Sequence, residues 1–139
     1  MGRIVLILLI VAFVSASASA TDHDPSLDFV QVEWVEVVAQ DDGRFVFTVT
    51  VRHDDTGWDH YADAWELADP VTGEVFAVRE LLHPHETEQP FTRSLAGVRL
   101  PDGAMVVEVR ARCNVHGFGG RTVVVDLTES EGERYTVAR

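Results

Sequence analysis

The chain contains no lysine. Its eleven basic residues are all arginine and face 23 aspartates and glutamates, for a formal net charge of −12. An acidic surface of this size repels phosphate backbones, so nucleic acid is excluded as the expected partner. The absence of lysine reads as compositional bias or salt adaptation and is given no mechanistic weight. One cysteine, Cys113, excludes an internal disulfide, so stability has to come from the core. Catalytic signatures are also missing. There is no Gly-x-Ser-x-Gly elbow and no His-Glu-x-x-His helix, and the glycines at 117, 119 and 120 lack the Lys-Ser/Thr of a phosphate loop. The expectation is a module that does no catalysis.

Arg3, the apolar run Ile4 to Val14 and the small residues Ser15 to Ala20 have the three parts of a secretory signal, with Ala18-Ser19-Ala20 favouring a cut before Thr21. The run is shorter than the roughly 20 residues a membrane-spanning helix needs. The expected product is therefore exported, periplasmic or secreted, with no stable membrane insertion after cleavage. The lack of cysteine near the cleavage region argues against a lipid-modified lipoprotein. Residues 1–20 are thus assigned to the signal, 21–27 to a polar lead-in, 28–127 to one domain and 128–139 to a polar tail.

The domain alternates β-rich runs with turn signals and shows no helical period. Seven strands are expected, near 28–38, 44–53, 60–67, 74–82, 91–98, 104–113 and 121–127. In the first, Val30, Val32 and Trp34 share a face. In the second, Phe45, Phe47, Val49 and Val51 do, and in the sixth, Met105, Val107, Val109, Ala111 and Cys113. The tail could add a short edge pairing at 135–137. With a tryptophan in the third strand, the fold class is all-β, a single seven-stranded antiparallel immunoglobulin-like or fibronectin-III-like sandwich. The missing cysteine pair separates it from antibody domains.

Direction reverses at each connection, so loops 53–60, 83–90 and 114–120 share one end, the top. They hold His53, His60, His83, His85 and His116, while the bottom loops hold no histidine. In His83-Pro84-His85 the extended backbone that proline imposes presents two imidazoles together. His60 and His116, with His53 as a further candidate, could complete a site for Cu, Zn or Ni. The plainer alternative is that these histidines hydrogen-bond the loops into a cap or titrate in solvent. A cut before Thr21 would also create Thr21-Asp22-His23, which resembles the amino-terminal copper and nickel motif and makes His23 a separate, cleavage-dependent ligand. The segment from Asp54 to His60 lacks the spacing of an EF-hand and reads as a solvated connection with Trp58 packed over the sandwich end.

Cys113-Asn114-Val115-His116 resembles the ligand loop of blue-copper electron-transfer proteins. That resemblance would make Cys113 and His116 ligands, with His60 or His53 upstream. The usual axial methionine position is occupied by Arg121, and the favoured reading of Cys113 is a small buried hydrophobe. Gly57-Trp58-Asp59-His60-Tyr61-Ala62-Asp63, His83-Pro84-His85 with Glu88 to Leu95, and Val115 to Gly120 together resemble a family of small exported proteobacterial proteins of unassigned function, over most of the mature chain. The resemblance implies export and a single domain and carries no activity. The partner, a protein or small ligand, is left open.

Overall fold

The computed structural model describes residues 24–139. The expected signal segment, residues 1–20, and His23 lie outside them. The described residues form two β-sheets packed face to face, with almost no helix beyond the 3₁₀ turn Pro25–Asp28. None of their helices is long and apolar enough to cross a membrane.

The described residues hold nine strands, where seven were expected: β1 Gln31–Ala39, β2 Phe45–Arg52, β3 Ala62–Ala68, β4 Val75–Glu80, β5 Phe91–Val98, β6 Val106–Cys113, β7 Val123–Asp126, β8 Glu131–Gly132 and β9 Tyr135–Ala138. One sheet has the order β5-β2-β1-β9-β8 and the other β4-β3-β6-β7. The two added strands come from the polar tail. β9 runs parallel to β1, with Val35 opposite Tyr135 and Val37 opposite Val137. Tyr135 and Val137 are buried, so this pairing extends the core rather than decorating an edge.

Alternation explains most of the core. Phe47, Val49 and Val51 of β2 and Val107, Val109, Ala111 and Cys113 of β6 are buried around Trp65 and Leu67 of β3. Two inward assignments fail for stated reasons. A register shift between Val32 and Trp34 moves β1 by one residue, so Val30, Val32, Val35 and Val37 are buried and Trp34 turns outward. Met105 precedes β6 and is exposed.

The pairings also fix which loops meet. Val51 lies opposite Phe91 and Gln31 opposite Arg52, while Ala62 lies opposite Cys113 and Ala64 opposite Glu80. The end of β2, the starts of β3 and β5 and the end of β6 therefore come together at the top.

Candidate metal centre

The inward alternation of β2 does not stop at its last apolar residue. Phe47, Val49 and Val51 are followed at the same period by His53 and Asp55, both buried. On the facing sheet the inward row of β6 ends in Cys113, also buried. Two strands thus carry an imidazole, a carboxylate and a thiol at the upper edge of an apolar core. Burying such groups is costly unless each finds a partner.

Asp55 supplies partners across three segments. Its Oδ1 accepts the His53 Nδ1–H at 2.6 Å and the Ala62 amide at 2.9 Å, and its Oδ2 accepts the His85 amide at 2.7 Å. Burial alone would raise this carboxyl. The hydrogen bonds from the His53 ring and from the two amides prevail and hold it below the usual carboxylate range. Because Asp55 takes the Nδ1–H, the Nε2 of His53 is left facing the Asp28 carbonyl and His60 Nε2, to be filled by a proton or by a metal ion.

Gly57, at φ 135°, lets the chain double back through the Thr56 N–H to His60 C=O bond. His60 returns over His53, and their Nε2 atoms lie 3.2 Å apart. The opposite loop is shaped by Gly117, whose φ of 69° closes reciprocal backbone bonds with Cys113. Inside that turn the His116 amide donates to Cys113 Sγ at 3.1 Å, and His116 Nδ1 lies 3.2 Å from His60 Nε2 and 3.7 Å from Cys113 Sγ. Asn114 ties the two loops together. It accepts the Tyr61 amide, and its Nδ2 donates to the Trp58 carbonyl.

One ligand atom each from His53, His60 and Cys113 lies within 4.8 Å of the others. A tetrahedral ion with bonds of about 2.0–2.1 Å to nitrogen and about 2.3 Å to sulfur would set N···N edges near 3.3 Å and N···S edges near 3.6 Å. Three successive separations match such edges: 3.2 Å from His53 Nε2 to His60 Nε2, 3.2 Å from His60 Nε2 to His116 Nδ1 and 3.7 Å from His116 Nδ1 to Cys113 Sγ. The donors grade from core to rim, with His53 and Cys113 buried, His60 half-buried and His116 exposed. Burial and the neighbouring charges of His53 and His116 lower the pKa of His60, so it favours the neutral form a metal needs.

Of the residues singled out for a metal, the structure brings His60 and His116 together with His53 and Cys113. His83 and His85 form a different group. Their rings are 4.4 Å apart, and His85 stacks on Phe91 at 3.8 Å and 11°. Arg93 Nη2 donates to His85 Nε2 at 2.7 Å, which occupies that lone pair and leaves the proton on Nδ1. Gln89 donates to the His85 carbonyl and accepts the His53 amide, so this arm is bolted to the histidine cluster through backbone contacts. Burial, then Arg93 and His83, lowers the pKa of His85. Trp58 is not packed over the sandwich end. It is 66% exposed and meets Tyr61 edge-on, because the tight turn at Gly57 throws its side chain outward.

The sequence reading missed Asp55 as an organiser and set Cys113 aside. The available signal was polar residues continuing an apolar strand alternation, which a buried strand end seldom tolerates without partners.

A protein of Halomicrobium mukohataei named "Putative lipoprotein" is 42% identical to this chain over 122 residues, covering 86% of the chain and 59% of the relative. The chain thus spans about three-fifths of that relative's length. No family model and no solved structure matches.

Proposed function

We propose that this is an exported β-sandwich module that binds one transition-metal ion at its top rim. His53, His60 and Cys113 are the ligands and His116 the solvent-side fourth. The single observation that carries this reading is the gathering of one ligand atom each from His53, His60 and Cys113 within 4.8 Å of one another, with His116 Nδ1 3.2 Å from His60 Nε2 and 3.7 Å from Cys113 Sγ. Export is supported by the leader-like residues 1–20 and by the lipoprotein name of the similar Halomicrobium protein. The strand order β5-β2-β1 in one sheet and β4-β3-β6-β7 in the other supports an immunoglobulin-like reading of the sandwich, with β8 and β9 as an addition. The module binds rather than catalyses.

A second reading applies to the His83-Pro84-His85 arm, which acts as a hydrogen-bonded cap. The bond from Arg93 to His85, the stack on Phe91 and the His85 amide bound to Asp55 favour it. A ligand role for His85 would require Arg93 to let go of the ring. Elemental analysis of the protein purified from the compartment it is exported to, beside His60→Ala and the double variant His83→Ala plus His85→Ala, separates the roles. Near-stoichiometric Cu, Zn or Ni is expected in the parent and the double variant and is lost in His60→Ala. Sub-stoichiometric metal in all three contradicts the proposal.

A further inference from the structure

We propose that the outer face of the five-stranded sheet binds a neutral glycan, with Trp34 as the stacking platform and the threonine and serine hydroxyls beside it as the polar partners.

The platform exists because of one irregularity in β1. The register shift between Val32 and Trp34 gives the strand an extra residue and turns the indole out of the core. Trp34 is 39% exposed, and among the described residues no aromatic ring or guanidinium stacks on it. Trp65, in contrast, is wholly buried and supplies the core with its full apolar area.

The neighbours of Trp34 on this face are hydroxyls. Trp34 lies opposite Thr50, and Thr50 opposite Thr92. In the next outward row Glu36 lies opposite Thr48 and Thr136, Thr48 opposite Ser94, and Thr136 opposite Glu131 of the edge strand β8. None of these residues is buried. The two rows are about 7 Å apart along the strands, and neighbouring strands are about 5 Å apart, so the face is an open platform rather than a pocket. Thr48 Oγ1 and Ser94 Oγ are 2.8 Å apart, as are Thr50 Oγ1 and Thr92 Oγ1. Each pair spends one of its two hydroxyl hydrogens internally. It therefore presents one donor and open lone pairs from side chains already held in place, which reduces the ordering that binding requires.

This chemistry matches a sugar. A pyranose has a face of C–H bonds that packs on an indole, and a rim of hydroxyls that both donate and accept. The paired hydroxyls meet that rim, and Glu36 accepts from it. The charges select a neutral chain. Glu36 and Glu131 stand in the outward row of a protein of net charge −12, and they repel an acidic polysaccharide. An apolar peptide laid on the same face would leave the hydroxyl pairs without partners. The outer face of the other sheet is different in kind, because its charges are already paired, Glu66 with Arg110 and Asp63 with Arg112.

The test runs the full chain through native gels cast with xylan, glucomannan or starch, and through gels cast with polygalacturonate or with no polysaccharide. Retardation is expected in at least one neutral gel and in neither of the last two. Trp34→Ala should weaken that retardation at least about 10-fold, while Trp34→Tyr keeps most of it. Thr48→Val plus Thr50→Val should weaken it about 3- to 10-fold. Trp58→Ala, at the other exposed tryptophan, should behave as the parent does, and circular dichroism checks that each variant keeps its β spectrum. Lack of retardation in every neutral gel overturns the proposal on the parent chain alone. Retardation by polygalacturonate only, or undiminished binding by Trp34→Ala, also overturns it. Slow migration without polysaccharide that Trp34→Ala relieves would give the face to a second copy of the chain instead.

Discussion

The two ends of the sandwich use the same residue types in opposite ways. At the bottom, aspartates serve the backbone beside them: Asp42 accepts the Arg44 amide, Asp69 those of Val71 and Thr72, and Asp126 that of Thr128. These side chains close turns within two or three residues and stay in solvent. At the top, Asp55 is buried and reaches Ala62 and His85, seven and thirty residues away. The bottom is held by local geometry that any stretch of chain could form. The top is held by a polar network that exists only when three loops are in place, so it is both vulnerable and chemically capable.

The largest effect expected from breaking this contrast is at Asp55. Asp55→Ala leaves the His53 ring and two amides without their acceptor and should cost about 3 kcal/mol or more. Asp69→Ala should cost visibly less, and chemical denaturation of the two variants compares them directly. Loss of as much stability from Asp69→Ala would erase the distinction between the ends.

Next in size is metal affinity. Asp55→Asn preserves most of the shape but weakens the hold on the His53 tautomer, and a fall of about 10- to 100-fold is expected by competition with a chelator. Asp69→Asn should leave affinity unchanged. Within the top end, His83→Ala plus His85→Ala should lower the melting temperature by the equivalent of about 1–3 kcal/mol, through the lost stack and the unpaired Arg93, at constant metal content. Metal lost in parallel with stability would merge the arm with the centre.

The smallest effect is a separation in pH. His60 and His85 have folded values below 6.5, so the folded state binds protons less readily than the unfolded one. Their stabilising contribution is full above 6.5 and is lost as pH falls through the lowered values. Asp69 and Asp126 are lowered from 3.8 by bonds to their own turns, Asp69 through the Thr72 and Val71 amides and Asp126 through Thr128, so their contribution is lost only in stronger acid. Melting temperature of the metal-free protein should decline in two stages as pH falls. Substituting Asn at 69 and 126 should soften the acid stage alone.

The same contrast explains how much was legible in the sequence. Asp69-Pro70-Val71-Thr72-Gly73 announces its turn because every bond it makes is local. Strand alternation in β2 and β6 announces the core for the same reason. It misled at Trp34, where the bulge is set by pairing with β2, and at Tyr135 and Val137, whose burial depends on a parallel partner about a hundred residues away. Strand direction gathered the histidine loops at one end. Division of those histidines into a cluster and a cap depends on which ring Arg93 binds and on how Asp55 spans the loops, neither of which has a local signature.

The central claim is that the metal belongs to His53, His60 and Cys113 rather than to the adjacent His83-Pro84-His85 arm. Anomalous diffraction from crystals of the metal-loaded protein, recorded on either side of the metal absorption edge, tests it most directly. The account predicts one strong peak within bonding distance of His53 Nε2, His60 Nε2 and Cys113 Sγ. A peak on His83 and His85, or none at the cluster, would contradict it.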